Sequence, residues 1–178
     1  AASLDGLDIL VISNALGDEK MDSSAALNPA FTAAECAAVR SWVEAGGSLL
    51  LIADHSPMGS AARGMGGVFG VDMRNSYTID KVQGDHRSPT NITYLPGAGL
   101  DTLHAIVRGR DRGESVKKVV TFTGQSLAGP PDATVLLRLS DQAEDLMVGL
   151  GEAGGDVPPD KRKPAAGRAH HPPSCVAP

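Results

Sequence analysis

Asp54, His55 and Ser56 are consecutive in the stretch GGSLLLIADHSPMGSAARG, where an apolar run ends and Pro57 interrupts it. A carboxylate, an imidazole and a hydroxyl at one point can move protons, bind a metal or attack an acyl carbon, and the trio reads three ways. In the first, Ser56 is a nucleophile, a histidine takes its proton, a carboxylate orients that histidine, and backbone N–H groups of the turn after Pro57 hold the oxyanion. Adjacent side chains diverge, so a triad needs a histidine from elsewhere, His86 or His104. In the second, Asp54 and His55 join Asp85 and His86 as a hard nitrogen and oxygen set for a divalent ion and an activated water, although the spacing matches no strong metal motif. In the third the residues are structural: Asp54 caps the following helix or bonds loop amides, His55 is a satisfied polar side chain, and Ser56 caps a helix that has Pro57 at its first position. The residues alone leave the three readings open.

The surrounding elements decide where this trio sits. LDILVIS, Leu7 to Ser13, is a short apolar run rich in β-branched residues, the pattern of a central parallel strand covered on both faces. In FTAAECAAVRSWVEAGG, Thr32 and Glu35 form a capping box, Phe31 can staple onto Cys36, and Gly46 or Gly47 supplies a left-handed cap. A helix over about 33–45 follows, with Cys36, Val39 and Val43 on its apolar stripe. The run Leu49 to Ala53 completes a βαβ unit, and the handedness rule sets it parallel to the first strand. Both strands then open on one edge, where α/β sheets place ligands, so Asn14 and the 54–56 trio should face one crevice. A short, glycine-containing helix is expected after Pro57, and its first residues, Met58 and Gly59, join Asn14 as expected ligand contacts.

Beyond this unit the pattern weakens. VDMRNSYTIDKVQGDHRSPTNITYLPGAG has no sustained period and carries Asp85 and His86 in a long excursion. Strands are expected at about 116–123 and at 133–140, joined by the turn-rich GQSLAGPPD and paired antiparallel. From about residue 150 Pro, Gly and charge dominate; 1–149 is read as one domain and 150–178 as a disordered tail in which His170 and His171 are solvated. RGRDRGE, Arg108 to Glu114, is a mixed-charge turn, GMGG lacks the context of a nucleotide loop, and Asn91 in NIT matters only in a secretory setting.

LDILVISNALG, AFTAAECAAVRSWVEAGGSLLLIADHSPMGSAARGMGGVFGV and VKKVVTFTGQSL together resemble the class I glutamine amidotransferase-like superfamily, and most of all its bacterial DUF4350 and ThuA-like groups. The resemblance covers most of residues 4–140. It implies an α/β fold of flavodoxin-like kind, a three-layer sandwich with a mostly parallel central sheet, to which the antiparallel pair would be added. It also implies a further β/α unit before the first strand and another strand near the end, so the sequence looks like the middle of such a domain. The glutaminases of this superfamily carry a cysteine on the turn after the strand that matches Leu49 to Ala53, and a later His and Glu pair. Here the turn reads ADHSPMG and no His-x-Glu pair exists, so thiolate glutaminase chemistry is not expected.

Composition narrows the partners. The chain has 178 residues, 42% hydrophobic but 3% aromatic, with a net charge of -5, which argues against a nucleic-acid partner. No apolar run reaches membrane length and the first residues show no signal-peptide pattern, so no membrane partner is expected, while the compartment stays open. Cys36 and Cys175 are read as free thiols. The expected activity is hydrolysis of an ester, lactone or similar activated bond, with Ser56, His55, Asp54 and His86 as the catalytic set. No cofactor is required by that reading, and a divalent metal belongs only to the Asp54, His55, Asp85, His86 alternative. The other expectation is a non-catalytic small-molecule-binding or interaction domain of amidotransferase-like descent. In either case unpaired strand edges imply a homo-oligomer.

Overall fold

The computed structural model describes residues 4–147 and 162–164. Its first unit is the βαβ expected: β1 (Ile9–Ser13), α1 (Ala33–Glu44) and β2 (Ser48–Ile52), with β1 and β2 paired in parallel from Ile9 opposite Ser48 to Ser13 opposite Ile52. The start of α1 is fixed reciprocally. Thr32 Oγ1 accepts from the Glu35 N–H at 3.2 Å, and the Glu35 carboxylate accepts from the Thr32 N–H at 2.8 Å. Gly46, at φ 111°, takes the positive-φ conformation that lets the chain leave the helix.

Cys36 and Val39 of α1 are buried with Met65, and Leu10, Ile12, Leu49 and Leu51 pack against them from the sheet, as does the staple residue Phe31. Alternation along each strand sends the other side chains to the opposite face. There Ile9, Val11, Leu50 and Ile52 are 65%, 56%, 52% and 39% exposed. The expectation of a strand covered on both faces is therefore corrected: among the described residues α1 covers one face only.

α2 (Met58–Gly67) follows, as the sequence reading expected, and buries Met58, Gly59, Ala61, Ala62, Met65 and Gly66. Its small residues allow close approach. A side-chain carbon on Gly66 would meet Met73, and one on Gly59 would overlap the Arg74 carbonyl and the Gln125 amide.

The region without a sustained period holds β3 (Asp72–Met73), β4 (Ser76–Asp80), β5 (Ile92–Pro96) and β6 (Gly99–Leu100), and the short α3 (Ala105–Arg108) follows. β7 (Val119–Thr121) falls inside the strand expected at 116–123, but it pairs antiparallel with β5. β8 (Leu127–Ala128) pairs antiparallel with β3. The expected strand at 133–140 does not form; that segment makes one isolated bridge, Leu137 to Leu100, and its leucines pack on the cluster of Ile92, Tyr94, Leu100 and Val107. β9 (Ala143–Met147) pairs antiparallel with β4 instead.

β10 (Arg162–Pro164) adds to the outer edge of β9, so these three residues of the stretch read as a disordered tail are a strand. Pro164, which has no N–H to give a ladder, stands where an edge tolerates it. The rest of 148–178, with Cys175, His170 and His171, lies outside the described residues. The molecule is mixed α/β, built of small sheets in which β1–β2 and β5–β6 are parallel and the other pairs antiparallel. Among the described residues no helix is long and apolar enough to cross a membrane.

Candidate functional site

The parallel unit ends in a clamped turn. The Asn14 N–H donates to the Ile52 carbonyl at 2.9 Å, and the Asn14 side-chain oxygen accepts from the Asp54 N–H, also at 2.9 Å. Asn14 does this at φ 53°, a left-handed conformation that asparagine tolerates better than most residues. The shared edge is thus as expected, and the Asn14 side-chain oxygen helps to hold the ends of β1 and β2 together.

His55 follows, with its ring edge-on to Tyr77, centroids 5.8 Å apart and planes at 78°. Its Nδ1 is buried and has no hydrogen-bond partner among the described residues. Asp54 Oδ2 lies 3.8 Å away, too far for a hydrogen bond.

Ser56 departs from the capping expectation. The residue at the N-cap of α2 is Pro57, joined to Ser56 by a cis peptide, and no side chain caps the helix. The Ser56 hydroxyl is half-buried and makes no hydrogen bond among the described residues. Met58 and Gly59, the other expected contacts, are buried. The Met58 N–H donates to the His55 carbonyl at 2.8 Å, so the first amide of the helix closes the turn and does not face a ligand.

The more distant candidates are not gathered here. His86 is exposed, and the Asp85 carboxylate accepts from the N–H groups of Arg87 at 2.7 Å and Ser88 at 3.3 Å in a local turn. His104 Nδ1 accepts from the Ile106 N–H at 3.3 Å and caps α3. Neither histidine bonds Ser56. Among the described residues no three His, Cys, Asp or Glu side chains are grouped to hold a metal ion, so Asp54, His55, Asp85 and His86 do not form the set the metal reading needs.

Three features were missed in the sequence. Gln125 donates from Nε2 to the Ala53 carbonyl at 3.2 Å while its amide lies over Gly59, tying the loop after β7 to the turn. Thr123, two residues before it, has φ 52°, a costly conformation for a β-branched residue and one that tends to mark functional loops. Asp145, fully buried on β9, accepts from Thr78 Oγ1 and Ser126 Oγ at 2.6 Å each and from Arg74 Nη1 at 3.1 Å. A polar cluster in the TFTGQS stretch after an apolar run was the available signal for Thr123 and Gln125. Asp145 gave none, because its three partners come from distant parts of the chain.

Cavities of about 390, 400 and 300 Å³ are lined by residues other than Asp54, His55 and Ser56. The geometry at the turn offers an unpartnered imidazole nitrogen, a neighbouring carboxylate and an uncommitted hydroxyl, without a bonded relay among them. Comparison of the chain with protein-family models, with curated proteins and with solved structures finds no match.

Proposed function

We propose that this chain is a small-molecule-binding domain of amidotransferase-like descent, holding a polar ligand at the Asp54–His55–Ser56 turn. The observation that carries the reading is the buried His55 Nδ1, which has no hydrogen-bond partner among the described residues. A buried polar atom without a partner costs roughly 1–3 kcal/mol, and such an atom in a native fold calls for a water, an ion or a ligand. The βαβ unit that opens both strand ends toward this turn supports the descent. A central sheet of flavodoxin-like kind belongs to the same proposal.

Hydrolysis of an ester, lactone or similar activated bond is the second reading, favoured by the Ser56 hydroxyl that, among the described residues, neither caps α2 nor bonds another group. It comes second because no histidine among the described residues is hydrogen-bonded to Ser56 and the Met58 N–H is taken by the His55 carbonyl. Thermal-shift screening of small carboxylic acids, amides and sugars separates the two. The binding reading expects a ligand whose Kd rises at least tenfold in His55→Ala, with no turnover. Cleavage of a chromogenic ester that disappears in Ser56→Ala would put hydrolysis first; no ligand and no turnover would remove the turn from the functional account.

Self-association belongs to the same proposal. A parallel sheet is ordinarily covered on both faces, and β1–β2 presents Ile9, Val11, Leu50 and Ile52 beside edges that no other described strand pairs.

A further inference from the structure

RGRDRGE reads as a mixed-charge turn, yet its charges are not balanced in space. A cavity of about 390 Å³ is lined by Arg108, Arg110, Arg112 and Lys117, with Asp111 as the one acid in the lining. The acids of the turn are spent on the turn itself. The Glu114 carboxylate accepts from the Arg110 N–H at 2.9 Å and pairs with the Arg110 guanidinium. Asp111 Oδ1 accepts from the N–H groups of Gly113 at 2.7 Å and Glu114 at 3.2 Å. Arg108 and Arg112 are exposed, and their guanidinium groups make no hydrogen bond or ion pair among the described residues. Lys117 gives one of its three N–H groups to the Ser115 hydroxyl. These uncommitted cations stand on a chain whose net charge is -5.

The backbone that carries them is tied down. The Val116 N–H donates to the Val107 carbonyl at 2.8 Å, which closes residues 108–115 into a loop, and Val107 is buried in the cluster with Ile92, Tyr94 and Leu100. Inside the loop the Ser115 hydroxyl donates to the Arg112 carbonyl at 3.2 Å. Gly109 has φ 67°, and a side-chain carbon there would overlap Glu114. A loop fixed in this way loses less freedom when it takes up a ligand.

We infer that this cavity binds a small organic phosphate, a dianionic phosphoryl group on a body that brings the whole to on the order of ten non-hydrogen atoms. The planar forks of Arg108 and Arg112 suit phosphoryl oxygens, and Lys117 adds a point charge. Several cations against one acid favour a dianion over a monoanion. Pro96 and Val116, neither of them buried, line the same cavity and give the organic body a surface to lie on. An extended polyanion is disfavoured, because it would run from this loop onto an acidic protein. The lining contains no residue of the Asp54–His55–Ser56 turn and neither Gly124 nor Gln125. Lys117 precedes β7, whereas the loop that reaches the turn follows it, so either site can fail without the other.

The test is calorimetric titration of the full chain with phenyl phosphate at pH 8, where the phosphate is dianionic because its second pKa is about 6. Salt at about 0.1 M confines attraction between exposed charges to about 10 Å. The chain should bind one equivalent saturably, and benzenesulfonate, a monoanion on the same ring, at least fivefold more weakly. Inorganic phosphate, which lacks the ring, should bind at least threefold more weakly. Arg108→Gln and Arg112→Gln should each raise the Kd at least fivefold without altering thermal unfolding. Asp111→Asn keeps the oxygen that accepts from Gly113 and Glu114 while removing a negative charge from the lining, and it should lower the Kd at least twofold. Arg40→Gln, an equal loss of charge on α1, and His55→Ala should leave the Kd unchanged. Absence of saturable binding, equal affinity for phenyl phosphate and benzenesulfonate, or the same weakening in Arg40→Gln as in Arg112→Gln would each overturn the inference, the last by reducing it to attraction by overall charge.

Discussion

Asp80 shows how a single buried carboxylate is made tolerable. It is 1% exposed, and burial pushes its carboxyl up, yet the N–H groups of Gln83, Ser140 and Val82 and the Ser140 hydroxyl together outweigh burial and hold it below the ordinary carboxylate value. A lowered folded-state pKa means that the contribution of Asp80 is fully present above the unfolded value of about 3.9 and is lost as pH falls through the folded one. Urea unfolding at pH 6 and pH 3 should therefore show a smaller pH effect in Asp80→Asn than in the wild type. The substitution itself should cost about 1–3 kcal/mol at pH 6 through the weakened acceptors. An unchanged acid slope would mean that other lowered carboxyls, such as Glu35 and Glu114, carry the whole effect. At the turn, the corresponding residue-scale question is whether the loss of His55 Nδ1 is felt by a ligand or only by the fold.

At the scale of elements, α2 depends on what it lacks. Gly59 has the Arg74 carbonyl and the Gln125 amide where a Cβ would stand, so Gly59→Ala must shift backbone as well as side chain. We expect it to lower stability by about 1–3 kcal/mol despite the better helix propensity of alanine, measured by chemical denaturation; a gain in stability would show that the loop after β7 can move aside. The elements legible in the sequence were those whose buried face is apolar. α1 announced itself by Thr32 and Glu35 at its start, and β1 and β2 by their aliphatic runs. β4 was illegible for the opposite reason: its buried alternate positions are Ser76, Thr78 and Asp80, and β9, its partner, buries Asp145. A pattern search for alternating apolar residues passes over a strand whose inner face is polar. Residues 133–140 mislead in the reverse sense, since ATVLLRLS has apolar side chains that pack on a core without a ladder. At the turn, the adjacency of Asp54, His55 and Ser56 was visible. The clamp from Asn14 and the reach of Gln125 were not, because both depend on pairings across 40 and 72 residues of chain.

For the whole molecule, the uneven covering of β1–β2 is the main consequence of the architecture. Four aliphatic side chains stand on one face at about half exposure, on a parallel sheet of two strands. Such a patch favours self-association, and light scattering at high micromolar concentration should give a mass of a dimer or more. Val11→Lys with Leu50→Lys should shift the protein to monomer without loss of the helical signal, because neither residue belongs to the cluster under α1. A wild type that stays monomeric would show that a second copy does not cover this face.

The pairing of β4 with β9 also orders events in time. Thr78 meets Asp145 67 residues later in the chain, so at synthesis rates of roughly 5–20 residues per second β4 waits several seconds for its partner. An aliphatic strand left waiting would be a template for other nascent chains. One whose inner face is serine, threonine and aspartate stays hydrated until the carboxylate it bonds has been made, so the polar interior that hides this strand from a pattern search also shelters it on the ribosome.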